Sequence, residues 1–189
     1  QFASELERHG ISRRTFLKFC SSMASAMALS PAAAVAMADK LVTVQRQSVI
    51  WLSFQECTGC TESITRSHKP SLENLIFDFI SLDYHHTLQA ASGTAAELAR
   101  EQAMHANKGK YILVVDGSIP IKDGGVYSTI AGMTNLDMLQ QVAKDAAAIV
   151  AVGTCATYGG LPKASPNPTG AVSVSDIITD KPIINIPGC

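Results

Sequence analysis

The chain has 189 residues, of which 47% are hydrophobic and 16% charged, and its formal charge is −1. That balance excludes the basic electrostatic footprint of a nucleic-acid-binding protein. The length suits one domain with a sizeable core, and the low charged fraction agrees with a surface partly covered by a partner.

The N-terminal segment has the layout of an export leader. Ser12-Arg-Arg-Thr-Phe-Leu-Lys18 precedes a mild apolar run from Phe19 to Ala36, and Ala34-Val-Ala36 and Ala36-Met-Ala38 offer small-residue cleavage sites. The paired Arg13 and Arg14, with Phe-Leu-Lys behind them, resemble the twin-arginine signal of bacteria. Ser21, Ser22, Ser25, Ser30 and Pro31 interrupt the run, which is too weakly hydrophobic to hold a bilayer firmly. Residues 1–38 are therefore expected to be a signal peptide, with Cys20 inside it. The signal carries four basic and two acidic groups, which leaves the rest of the chain at −3.

Beyond the leader, strands alternate with helices. Val49–Phe54, Ile80–Tyr84, Tyr111–Val115, Ala148–Val152 and Pro182–Ile186 read as strands. The third and fourth are nearly all apolar, as strands covered on both faces must be. Ser71–Phe79, Ala95–Ala106 and Asn135–Ala146 have helical spacing, with Ser71 and Asn135 as candidate caps. The alternation predicts an α/β fold with a doubly wound parallel sheet over residues 39–189.

Four cysteines fall where such a sheet gathers its ligand. Cys57 and Cys60 follow the first strand in Glu56-Cys-Thr-Gly-Cys, Cys155 follows the fourth in Gly-Thr-Cys, and Cys189 follows the fifth in Pro-Gly-Cys. Four thiolates suit an iron–sulfur cluster or a structural zinc. In an exported protein cysteines ordinarily mean disulfides. The twin-arginine route, however, carries passengers that fold and load cofactors before export, which favours a prosthetic group. Gly59, Gly153 and Gly188 would let the backbone pass close to a bulky inorganic core.

These residues carry a family resemblance. Glu56-Cys-Thr-Gly-Cys-Thr-Glu-Ser63, Val115-Asp-Gly-Ser-Ile-Pro120, Gly153-Thr-Cys-Ala156, Asn167-Pro-Thr-Gly170 and Ile184-Asn-Ile-Pro-Gly-Cys189 resemble the small subunit of nickel–iron hydrogenases, in the right order. The leader resembles that of the exported, membrane-associated uptake members. The resemblance implies a flavodoxin-like domain holding a proximal [4Fe–4S] cluster on Cys57, Cys60, Cys155 and Cys189. It implies a hydrogenase large subunit as heterodimer partner, with the nickel–iron centre there. It further implies a periplasmic location and a membrane cytochrome b or quinone-linked acceptor. Glu56 and Thr58 match positions linked to proton transfer. Gly59 and Gly160 stand where oxygen-tolerant members carry extra cysteines, which implies the oxygen-sensitive kind. Family members continue past the fourth cysteine into a domain with medial and distal clusters, so the chain reads as a fragment lacking that domain.

Two other readings stay open at this stage. A cluster subunit of a related quinone oxidoreductase complex would share the domain, although such subunits typically show adjacent cysteines and no export signal. An exported structural domain with zinc or disulfides would explain the cysteines but not their order of motifs. His85 and His86 are read as solvated loop histidines, and His68 and His105 as surface groups. Trp51 and Tyr158 are expected to pack near the cysteine loops or a subunit interface. No G-x-x-x-x-G-K-[ST] or G-x-G-x-x-G occurs, which argues against nucleotide binding.

Overall fold

The apolar runs become the five strands of one sheet: β1 (Gln47–Ser53), β2 (Ile80–His85), β3 (Ile112–Asp116), β4 (Ala148–Val152) and β5 (Ile183–Ile186). Their spatial order is β2-β1-β3-β4-β5, and each neighbouring pair is parallel. This is the flavodoxin-like order of a doubly wound sheet, whose carboxyl ends form one edge where ligands bind. The computed structural model describes residues 12–43 and 46–189. Residues 1–11 of the expected leader, with Glu5, Glu7 and Arg8, lie outside the described residues.

The chain divides into two compact units, Gln1–Gln45 and Arg46–Cys189. The first contains two helices, α1 (Arg13–Ala26) and α2 (Pro31–Thr43). Ser12 caps α1, its Oγ accepting the Thr15 N–H at 3.2 Å. Pro31 opens α2, where its missing N–H costs nothing. Phe16, Cys20 and Ala38 bury one another. Among the described residues no helix is long and apolar enough to cross a membrane.

In the second unit the period-2 alternation of the strands builds two apolar layers. Ile50 and Leu52 of β1, Leu113 and Val115 of β3, and Ile149 and Ala151 of β4 point to one face. There they meet Met138, Leu139 and Val142 of a helix, Asn135–Ala143. Val49, Trp51 and Val114 point to the other face, where Ile64 of the helix Gly59–Thr65 packs against them. Tyr111, fully buried, donates its hydroxyl to the Val142 carbonyl and pins the strand's entry.

Local chemistry moves some boundaries. Thr134, not Asn135, caps the helix Asn135–Ala143 by accepting the Asp137 N–H at 3.1 Å. Asn135 is instead buried in the first turn, its amide donating to Ser128 Oγ at 2.6 Å. Ser71 caps as expected, accepting from Asn74 N at 3.2 Å. The helix it starts lasts only from Leu72 to Asn74 before widening into a π-turn over Leu75–Phe79. That run is rich in aromatic and β-branched residues, which favour helix weakly.

Leu113 lies at the centre of the covered face with no exposed surface. Leu113→Ala should lower unfolding free energy by about 3 kcal/mol, within the range for cavity-forming core truncations. The midpoint of a urea titration would shift down with the slope unchanged.

Candidate metal centre

Three strand ends deliver the cysteines to one edge of the sheet. After β1 the chain is clamped to the segment after β3: Phe54 N–H donates to the Asp116 carbonyl at 2.9 Å, and Gln55 and Ser118 exchange backbone bonds at 3.1 and 3.0 Å. Gly117 makes the approach possible. Its φ is +83°, and a Cβ there would stand 2.9 Å from the Phe54 carbonyl carbon. Glu56 and Cys57 leave this clamp, Thr58 takes a left-handed φ of 66°, and a short helix, Gly59–Thr65, carries Cys60 back over the sheet.

After β4 the chain turns at Gly153, with φ +82°, into the helix Gly153–Tyr158 that bears Cys155. A Cβ on Gly153 would lie 2.4 Å from Cys60 Sγ. Only a glycine can stand there. The Cys60 thiol itself faces the Val152 carbonyl at 3.9 Å. The loop after β5 is tied to the same place, because Thr154 donates both its N–H, at 2.8 Å, and its hydroxyl, at 3.0 Å, to the Gly188 carbonyl. Cys189 follows directly. The expected role of Gly188 is not seen: a Cβ there would meet nothing within 4 Å. Gly160 behaves like Gly153, since a Cβ would come within 2.6 Å of Cys155 Sγ.

Each of the four thiols lies within reach of the charge of at least one other. Burial, then the negative charges of Asp116, Cys155, Glu56 and Cys57, push the Cys60 thiol up to about 11. Burial also raises Cys155; a hydrogen bond from the Leu161 backbone N–H works against it, and Cys57, Cys189 and Glu56 add to the rise. Cys60 and Cys155 are half-buried, while Cys57 and Cys189 are exposed. Among the described residues no three His, Cys, Asp or Glu side chains gather around one point as a single-ion site requires. Glu56 is half-buried, and its carboxyl is raised by burial and by Asp116, against a hydrogen bond from Thr58.

A buried polar chain lies behind the cysteine loop, and sequence reasoning missed most of it. Asp116, at the end of β3, has no exposed surface. Its Oδ2 accepts from Trp51 Nε1 at 3.2 Å and from Thr61 Oγ1 at 3.4 Å. Thr61 Oγ1 in turn lies 3.4 Å from His85 Nε2. His85 is therefore not a solvated loop residue: it ends β2, is 1% exposed, and stacks at 5.2 Å on Trp51. His86 is also partly buried, its Nε2–H donating to the Ser53 carbonyl at 2.9 Å. The signal was available in the alternation, which puts Trp51 with Ser53, and Val114 with Asp116, on the face toward the helix Gly59–Thr65. Trp51 packs by this chain as expected, whereas Tyr158 is exposed. His68 and His105 are on the surface.

Two measurements check this geometry. Gly153→Ala should displace Cys60 and sharply lower whatever metal content the parent protein is purified with, whereas Gly188→Ala should leave that content near the parent's. Burial depresses His85 to about 4. A base depressed in the fold is neutral there and protonated in the unfolded chain, so it adds stability above its ordinary pKa of about 6.5 that is lost as pH falls toward 4. The loss should be on the order of 3 kcal/mol between pH 7 and pH 4. His85→Phe should show a correspondingly flatter stability profile in urea titrations across that range.

Comparison with known proteins agrees with the geometry. Residues 57–189 match the family model described as NADH ubiquinone oxidoreductase, 20 Kd subunit. The chain is 48% identical to the hydrogenase-2 small chain of Escherichia coli (strain K12) over 97% of its own length and 50% of that protein. It is 45% identical to the uptake hydrogenase small subunit of Azotobacter vinelandii, covering 100% of this chain and 52% of the relative. Among solved structures, the recombinant [NiFeSe] hydrogenase of Desulfovibrio vulgaris Hildenborough superposes with a TM-score of 0.75 at 38% identity, over 78% of this chain and 55% of that one. The chain thus spans about half the length of the curated relatives it matches. The parallel sheet, the cysteine loops and these likenesses together place the chain in the family of the 20 kDa subunit of NADH ubiquinone oxidoreductase, where its curated relatives are the small subunits of hydrogenases.

Proposed function

We propose that the chain is the electron-transfer part of a nickel–iron hydrogenase small subunit, with Cys57, Cys60, Cys155 and Cys189 as the ligands of a proximal [4Fe–4S] cluster. The observation that carries this reading is the meeting of three strand-end loops at Gly153, where a side chain would fill the space beside Cys60 Sγ. The residues fit such a group. Cys60 feels the charges of Cys57 and Cys155, Cys155 feels those of Cys57 and Cys189, and the Leu161 N–H already bonds the Cys155 sulfur. A cluster of this kind supplies one-electron storage at a potential set by its surroundings.

The protein's own residues supply the rest. The β1–β3 clamp fixes Glu56 and Cys57, and the Thr154–Gly188 bonds fix the approach of Cys189. Glu56 and Thr58, joined by a hydrogen bond, form the candidate proton relay. On this reading a large subunit carries the nickel–iron centre and splits H2, and the electrons leave through further clusters toward a membrane cytochrome b or quinone-linked acceptor. Export through the twin-arginine route and a periplasmic, membrane-associated location belong to the same proposal, supported by Ser12-Arg-Arg-Thr-Phe-Leu-Lys18 and by relatives described as periplasmic or uptake enzymes.

Metal analysis of the complex purified anaerobically on the full-length protein tests the reading. Nickel with excess iron and a large partner is expected, and Cys155→Ser should remove or alter one iron–sulfur signal while nickel stays with the large partner. Iron without nickel would favour a quinone oxidoreductase complex, in keeping with the family's description. Zinc alone would overturn both.

A further inference from the structure

The hydrogen-bond chain behind the cysteine loop has a fixed direction. His85 Nδ1 accepts from the backbone N–H groups of Thr87, at 3.1 Å, and Leu88, at 3.3 Å. That nitrogen therefore carries no proton, and in the neutral ring the proton sits on Nε2. Nε2–H then donates to Thr61 Oγ1, which turns the Thr61 hydroxyl proton toward Asp116 Oδ2. Trp51 Nε1–H, which can only donate, fills the second place on the same oxygen. Oδ2 thus takes both of these donors. Among the described residues Oδ1 and the Ser53 hydroxyl are buried without a hydrogen bond of normal geometry, and Ser53 is a further group that stabilises the carboxylate.

The strand register places this carboxylate beside the cysteines. Asp116 is paired across the sheet with Val152, whose carbonyl faces the Cys60 thiol and which directly precedes Gly153. Among the described residues no lysine or arginine pairs with Asp116; the titratable groups around it are His86, Glu56 and Cys60. A buried carboxylate that pairs with no lysine or arginine, His86 being the cationic group that acts on it, resists further negative charge placed nearby.

We propose that Asp116 lowers the reduction potential of the cluster held by the four cysteines, and that Thr61 and His85 are positioning residues that hold its carboxylate in place. This rests on the cluster reading above. It assigns work to three side chains outside the ligand set: a fixed negative charge at the ligand Cys60, and two neutral groups that keep it from turning away. His85 is not a proton carrier in this arrangement, because its second nitrogen is committed to two backbone donors.

The test is potentiometric EPR on the intact heterodimer, with the relevant signal identified as the one that Cys155→Ser removes or alters. Asp116→Asn keeps an oxygen for Trp51 and Thr61 but removes the charge, so the midpoint potential should rise at unchanged iron content. Thr61→Val frees the carboxylate to turn away from Cys60, so the midpoint should rise; Thr61→Ser, which keeps the hydroxyl, should match the parent. An unchanged or lowered midpoint in Asp116→Asn overturns the charge, and a parent-like or lowered midpoint in Thr61→Val overturns the positioning chain. If Asp116→Asn fails to retain iron, the Thr61 pair decides. A parent complex without a cluster would refute the underlying reading and this proposal with it, whereas a loaded parent with unmoved variants would refute this proposal alone.

Discussion

The site depends on the close approach at Gly153. β4 must end so that its next residue passes under Cys60 Sγ, and the space between them is smaller than a methyl group requires. A positive φ of 82° and the absence of a Cβ are both demanded there, and glycine alone meets both without strain. The following residue does the complementary job. Thr154 spends its backbone donor and its hydroxyl on one carbonyl, Gly188, and so draws the third loop onto the second. Two consecutive residues therefore join loops separated by about ninety positions in sequence on one side and about thirty on the other. The sheet makes this possible, since parallel strands release all their carboxyl ends at one edge.

What the joint gathers is a set of acidic groups. The Cys60 thiol, pushed up to about 11, and the raised Cys155 thiol both resist ionisation where they stand, chiefly through burial. Glu56 and Asp116 are raised for the same primary reason. An assembly of this kind is poorly suited to holding free thiolates. On the cluster reading, iron would reverse the balance, because thiolate ligation makes deprotonation favourable and ties metal loading to proton release. On the same reading the acidic surroundings would oppose thiolate formation before loading and help set the potential after it.

The strands and the meeting of the cysteine loops were legible because both follow strong local rules. Val114-Val115 and Ile149-Val-Ala-Val152 could only be covered strands, and cysteines placed just after strands have few alternatives in an α/β sheet. The buried chain was harder to read. Asp116 continues the alternation of β3 beyond its apolar residues, so the run looked finished one residue early. His85 looked like loop because a histidine pair after a short, weakly apolar strand carries no periodic signal, and its burial comes from Trp51 and Thr61, which lie elsewhere in sequence. The π-turn at Leu75–Phe79 was hidden for a related reason: helical spacing does not distinguish a four-residue from a five-residue hydrogen-bond step. Tertiary pairing decided each of these.

Thr58 shows how the local and the functional demands meet. A β-branched residue at φ 66° is costly, on the order of 1–2 kcal/mol, and glycine would remove the strain. The turn needs that conformation to bring Cys57 and Cys60 to the same side of the loop. Gly59, next in sequence, has a Cβ position only 3.2 Å from Cys57 Sγ, so it already serves the close contact. A threonine kept at the strained position therefore has to offer something glycine lacks, and the hydroxyl that reaches Glu56 is what it offers. The hydrogen bond stabilises the ionised form of a carboxyl that burial and Asp116 both disfavour. Strain in the backbone is thereby accompanied by a hydrogen bond that works against the rise of the Glu56 carboxyl.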